Sequence, residues 1–164
     1  MTSLHIVLLL IVVLRLTELA IARHNTRALL AGGGVETGAG HYPLFILLHG
    51  GWLLAIYVLV PPAAPPNWWL LAALLLLQAG RAWVLLTLGR YWTTRIVSLP
   101  GAPLVRAGPY RWIRHPNYLI VVAEIALLPL AFGAWQIALA FSVLNAALLT
   151  YRIRVEDGVL ASRS

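Results

Sequence analysis

Residues 108–118 read GPYRWIRHPNY, and after a long apolar stretch residues 151–157 read YRIRVED. In these two clusters charged, aromatic and turn-forming residues crowd together in an otherwise very apolar chain. Gly108-Pro109 is a turn dipeptide, and Pro116 forces His115 out of helical geometry while itself suiting the first turn of a helix. The spacing therefore predicts a basic loop ending in a histidine at the mouth of a buried helix, and chemistry is expected there. In the second cluster Arg152 and Glu156 are four apart and share a helical face, while Arg154 and Asp157 point off it. Taken alone, that cluster reads equally as an interfacial amphipathic tail with surface ion pairs. The absence of cysteine excludes thiolate nucleophiles, disulfides and Cys-based metal sites.

The elements that hold these residues follow from composition. Of 164 residues 61% are hydrophobic and only 10% charged, more apolar sequence than a soluble domain of this size can bury. The runs do not alternate as barrel strands do, so the expectation is an all-α, polytopic transmembrane bundle of one domain. Apolar spans are predicted at 4–21, 43–60, 68–89, 118–131 and 135–151. In the first, Arg15 and Glu18 are i,i+3 neighbours and can pair, facing the bundle interior. Residues 23–42 read as a polar loop whose Gly32-Gly33-Gly34 is flexible linker, since no strand or GxGxxG pattern accompanies it. His49, beside Gly50-Gly51, reads as a helix–helix hydrogen bond rather than a ligand.

Twelve arginines and no lysine give a net charge of +7. Positional bias in membrane proteins accounts for this before nucleic acid does. Arg23 and Arg27 lie in the first loop. Arg90, Arg95, Arg106, Arg111 and Arg114 lie in the third, and Arg152, Arg154 and Arg163 follow the last span; the second loop has none. Five crossings, with the N-terminus outside, put every loop arginine on the cytoplasmic side. Pro129 and Phe132-Gly133 split the last apolar region into a hairpin whose first arm falls short of the about 20 residues needed to span. Folding that hairpin about Gly133 brings Arg152 to the level of His115, Glu156 near Tyr110, and Asn145 and Ser142 level with Glu124.

GPYRWIRHPNY, a short hairpin and RIRVEDGVL together resemble the isoprenylcysteine carboxyl methyltransferase family of integral-membrane enzymes, over residues 89–160. The resemblance implies a cytoplasmic S-adenosylmethionine pocket built from the third loop, the HP-x-Y turn and the last helix. Carried over by motif, the cofactor-binding positions are Ala102, Pro103, Leu104, Val105, Tyr110, His115, Pro116, Asn117, Tyr118 and Glu156, with Arg152 and Glu156 catalytic. Arg152 matches the family's substrate-facing arginine, and Arg95 stands where some relatives carry glutamine. Aromatic faces of Tyr110, Tyr118 and His115 suit the cofactor, Glu156 suits its ammonium or sulfonium, and Arg152 suits an acceptor oxygen as its anion.

The implied function is methyl transfer to a carboxylate or hydroxyl oxygen of a lipophilic acceptor entering from the bilayer, either an isoprenylcysteine-type carboxyl or a small lipid or polyketide. The implied setting is a bacterial plasma membrane, with no nucleic acid, metal or obligate protein partner. An NADPH-dependent membrane reductase of sterol-reductase type and a non-enzymatic membrane scaffold are the alternatives. Glu124, ionisable within an apolar arm, is expected to receive Arg15 or Arg81, to hydrogen-bond Ser142, or to line the acceptor cavity.

Overall fold

A computed structural model describes residues 1–161; Arg163, counted among the cytoplasmic arginines, lies outside them. Five helices carry the fold among the described residues: α1 (Ser3–Ala31), α2 (Tyr42–Leu59), α3 (Trp68–Leu88), α4 (Pro116–Leu130) and α5 (Trp135–Ala161). Four apolar segments, containing α1, α2, α3 and most of α5, are long enough to cross a membrane, and Pro116–Leu130 is shorter. Leucines such as Leu47, Leu75, Leu76 and Leu86 point outward on these helices, as they do when lipid rather than water is the solvent. The protein is an integral-membrane helical bundle. Leu8, Trp52, Ile56, Leu74, Ile125 and Leu128 pack together at its centre.

The helix boundaries follow local chemistry. Asn67 caps α3, its side-chain oxygen accepting from the backbone N–H of Trp69 at 3.1 Å and Leu70 at 3.2 Å. Its own N–H donates to Ala131 O at 2.7 Å, tying the proline-rich turn to the hairpin. Pro43 and Pro116 sit in the first turns of α2 and α4, where no N–H is needed. Between α4 and α5 the chain reverses through Gly133, whose φ of 75° favours glycine, and Ala134 N donates to Pro129 O at 2.9 Å. At 15 residues α4 is about 22 Å long, against about 30 Å of hydrocarbon.

The first loop departs from the sequence expectation. Rather than ending near residue 21, α1 runs on to Ala31. Its polar turn is held because Asn25 donates to Gly89 O at 3.0 Å and Trp92 O at 2.8 Å. Nor is the glycine triplet a linker: Gly34 N donates to Leu29 O at 2.8 Å. A Cβ at Gly34 would stand 2.7 Å from that oxygen, so only glycine closes the helix this tightly. The chain then enters β1 (Val35–Thr37), which pairs antiparallel with β2 (Ile96–Ser98) in the register Val35↔Ser98, Glu36↔Val97, Thr37↔Ile96. This ribbon joins the first and third loops into one cap over the end of the bundle.

Candidate functional site

Under that cap the hairpin brings the two polar clusters together. Arg152, buried on α5, donates from Nε to the Tyr118 hydroxyl at 2.8 Å and from Nη2 to Thr94 O at 2.8 Å. Its guanidinium also lies over the rings of Phe45, at 5.1 Å, and Tyr118, at 5.7 Å. Held by an α4 side chain and a backbone carbonyl of the third loop, the planar fork has one preferred orientation. No described residue hydrogen-bonds its remaining terminal nitrogen.

One turn along α5, Glu156 accepts a short hydrogen bond from the Tyr118 hydroxyl. His115 Nδ1 lies 3.8 Å from the same carboxylate, and its ring stacks on Tyr118 with centroids 5.2 Å apart and planes inclined by 18°. Tyr118 thus donates to an acid, accepts from a base and offers its face to an imidazole. Between α4 and α5, His115, Tyr118, Leu149 and Ile153 line a cavity of about 380 Å³. The stacked face, the carboxylate and the adjoining apolar wall form a set of acceptors and contact surfaces that fits a sulfonium-bearing nucleoside with an ammonium tail.

Other predicted positions surround this centre unevenly. Tyr110 sits in a 3₁₀ turn at Gly108–Arg111, and burial together with the negative charge of Glu156 pushes its phenol well above the ordinary range. That turn packs on α3 so closely that a Cβ on Gly108 (φ 53°) would meet Thr87 Oγ1 at 2.5 Å. Ala102, Pro103, Leu104 and Val105 run without regular structure after a turn in which Ala102 N donates to Leu99 O at 3.2 Å. Pro116 opens α4. Asn117 faces another way: its side-chain oxygen accepts from Arg81 Nη1 at 3.3 Å. Arg95 is bound to Glu36 at 3.0 Å on the ribbon and lies 4.9 Å over the Tyr42 ring.

Two readings change in this setting. Asp157 does not point away from the site: its Oδ1 accepts from His115 Nε2 at 3.1 Å and lies 3.5 Å from Arg114. Though its side chain is short, Asp157 stands one residue past Glu156, and its neighbouring face of the helix joins the same cluster. His49 bonds within its own helix, Nδ1 to Phe45 O at 2.9 Å, rather than across to another. His41, which carries no signal in the sequence beyond standing just ahead of Pro43, is buried beside Tyr151 and Phe45, with ring centroids 5.3 and 6.1 Å away.

Deeper in the bundle lies a second polar network. Arg81 of α3 is paired with Glu124 of α4 through a very short contact, and Glu18 lies 3.8 Å from it. Arg15 lies 3.0 Å from Glu18 and 3.6 Å from Glu124, and donates to Gln78 at 2.8 Å. Gln78 in turn donates to Glu124. Glu124 therefore takes both arginines rather than Ser142. Two acids and two bases cancel where burial makes an unpaired charge costly.

The sequence profile of the isoprenylcysteine carboxyl methyltransferase (ICMT) family matches residues 69–162. The chain is 40% identical over 158 residues to the uncharacterized protein YpbQ of Bacillus subtilis, covering 94% of both chains. It is 25% identical over 156 residues to an uncharacterized protein of Haemophilus influenzae, covering 92% of this chain and 91% of the other. No solved structure matches it at a significant level.

Proposed function

The chain belongs to the isoprenylcysteine carboxyl methyltransferase family and is a membrane methyltransferase, and on that premise we propose that it moves the methyl group of S-adenosylmethionine to an oxygen of a lipophilic acceptor. Bound S-adenosylmethionine supplies an electrophilic methyl carbon on a cationic sulfur. The observation that carries the reading is the hydrogen bond from Arg152 Nε to the Tyr118 hydroxyl at 2.8 Å. It couples an anion-holding guanidinium to the aromatic pair that suits the cofactor.

In this reading His115 and Tyr118 offer a stacked aromatic wall. Glu156 has one oxygen on Tyr118 and the other without a hydrogen bond to any described residue, so it can take the cofactor's ammonium. Backbone groups of 102–105 meet the adenine edges. Arg152 directs its unengaged terminal nitrogen to the acceptor oxygen, a carboxylate or a hydroxyl. Methyl transfer is an in-line displacement, so the protein's work is alignment, charge placement and exclusion of water. Apolar walls on both cavities beside α5 support entry of a long-chain acceptor from the bilayer. The arginine-rich loops support a cytoplasmic site and an outside N-terminus in a bacterial plasma membrane.

Isothermal calorimetry on the purified protein in detergent tests the cofactor, with NADPH as the comparison. Radiolabelled methyl transfer into lipid extracts tests the acceptor. Binding of NADPH and not S-adenosylmethionine would overturn the reading.

A further inference from the structure

The Thr94 carbonyl that holds Arg152 Nη2 at 2.8 Å belongs to a segment, residues 92–95, that is neither helix nor strand. A carbonyl on irregular backbone is only as fixed as the contacts that hold that backbone. Here three elements hold it. Asn25 of α1 donates to Trp92 O at 2.8 Å. The Tyr42 hydroxyl, in the first turn of α2, is hydrogen-bonded to Thr94 Oγ1 at 3.1 Å. Arg95 Nη1 donates to both carboxylate oxygens of Glu36 on β1, at 3.0 and 3.1 Å. The Arg95 guanidinium carbon also stands 4.9 Å over the Tyr42 ring, so the ties to the ribbon and to α2 meet on one side chain. Within the segment Thr93 Oγ1 donates to Arg95 O at 2.6 Å.

None of these contacts is a strong source of stability. An ion pair with an exposed arginine contributes little, and a half-buried hydroxyl pair exchanges for water at small net cost. What they share is an end point. Tyr42 holds the side chain of Thr94 while Arg152 takes the carbonyl of that same residue. Two bonds from different nitrogens of a planar group, Nε to Tyr118 and Nη2 to Thr94, set the direction of the third nitrogen. With the Thr94 bond loosened, one bond remains and the fork can swing about it. Asn25, Glu36 and Tyr42 all lie ahead of the stretch that matches the family profile. Arg95, where some relatives carry glutamine, is committed to Glu36 and Tyr42.

We propose that Tyr42, Thr94, Arg95 and Glu36 are positioning residues for Arg152, a clamp through which the ribbon and α2 aim its guanidinium. Tyr42 acts by anchoring Thr94, and Glu36 by holding Arg95 against Tyr42. Without the clamp Arg152 keeps its charge and its bond to Tyr118 but loses its direction. A misplacement of about 1 Å at a reacting centre costs on the order of 10²-fold in rate. Clamp variants therefore lower turnover while stability and S-adenosylmethionine affinity stay near those of wild type. The consequence for turnover rests on the methyl-transfer reading and deepens it; the aim of the guanidinium does not depend on that reading.

Tyr42→Phe and Thr94→Val each delete one partner of the same hydrogen bond, and Tyr57→Phe removes an exposed hydroxyl from the same helix as the control. The first readout needs no methyl acceptor. In detergent-solubilised protein carrying isotope-labelled arginine, the Arg152 Nε–H resonance is assigned by its loss in Arg152→Lys, and its exchange with water is timed. Tyr42→Phe and Thr94→Val are expected to speed that exchange several-fold, and Tyr57→Phe to leave it unchanged. The second readout is the initial rate of radiolabelled methyl transfer from S-adenosylmethionine into a bacterial lipid extract, beside calorimetric cofactor affinity and the thermal midpoint. Tyr42→Phe should lower the rate on the order of 10–10²-fold with affinity and midpoint nearly unmoved. In an Arg152→Lys background it should add little, because the fork that the clamp aims is gone. Unchanged exchange in both Tyr42→Phe and Thr94→Val overturns the proposal. So does a fall in rate matched by a fall in affinity or midpoint, or a double variant in which the two losses multiply. Wild type that transfers no methyl group would sink the methyl-transfer reading, while the exchange rates still decide the clamp.

Discussion

Arg152 and Tyr118, 34 residues apart and on the two arms of a hairpin, are joined by a 2.8 Å hydrogen bond from guanidinium Nε to phenol oxygen. The same phenol donates to Glu156, so the bond fixes the arm bearing the aromatic wall against the arm bearing both charges. Positioning and charge placement thus meet on one phenol.

Replacing Arg152 by lysine keeps the charge but removes the fork that meets Tyr118 and Thr94 together. Turnover is expected to fall on the order of 10²–10³-fold, as when one positioned donor at a reacting oxygen is lost. S-adenosylmethionine affinity should stay near that of wild type. Steady-state methylation and calorimetry on the same preparation check both. Arg154→Ala is the mild control, its side chain being exposed on α5.

His115→Ala and Tyr118→Ala each remove half of a stacked pair, so both should weaken S-adenosylmethionine binding. Asp157→Ala is expected to weaken it as well, because the bond that orients the His115 ring goes with it. His49→Ala, whose bond is internal to α2, should change it little. Equilibrium dialysis measures all four, and equal affinities throughout would place the cofactor elsewhere.

Glu124→Gln leaves Arg81 and Arg15 facing Glu18 alone. Breaking a buried ion pair on one side typically costs about 3–5 kcal/mol, so a large drop in the thermal unfolding midpoint in detergent is expected. Glu36→Gln, which loses a pair with a substantially exposed arginine, should cost about 0–1 kcal/mol.

Because the chain has no cysteine, single cysteines can be introduced without background. With Ala64→Cys and Ala107→Cys, an impermeant maleimide added to intact cells should label the first and spare the second. Labelling of both from one side would remove the proposed orientation.

The membrane class, the hairpin and the return of the YRIRVED cluster to the level of GPYRWIRHPNY were legible because each rests on a strong local cue. Those cues are unbroken apolar runs, Pro129 with Gly133, and a four-residue spacing on one helix face. The ribbon was not legible, since strands of three residues are too short to show alternation. The length of α1 was hidden for another reason. Arg23, His24, Asn25 and Arg27 read as loop by polarity, yet Asn25 finds its acceptors in carbonyls of the third loop. Asn117 lies beside the motif's key residues but is claimed by Arg81, a partner 36 positions away that no local pattern announces.

The charge network of α1, α3 and α4 also bears on how the chain is made. Arg15 and Glu18 neighbour each other on α1, which precedes α3 and α4 in the chain, so that helix brings a neutral pair into the bilayer. Arg81 follows without an acid on its own helix, and among the described residues Glu18, at 3.8 Å, is its acid partner ahead of Glu124 on α4. The last hairpin therefore completes the charge balance of the bundle as well as supplying half of the candidate site. Without α4, Arg81 would be left under-neutralised within the membrane, so the early helices depend on the last hairpin for a balanced charge.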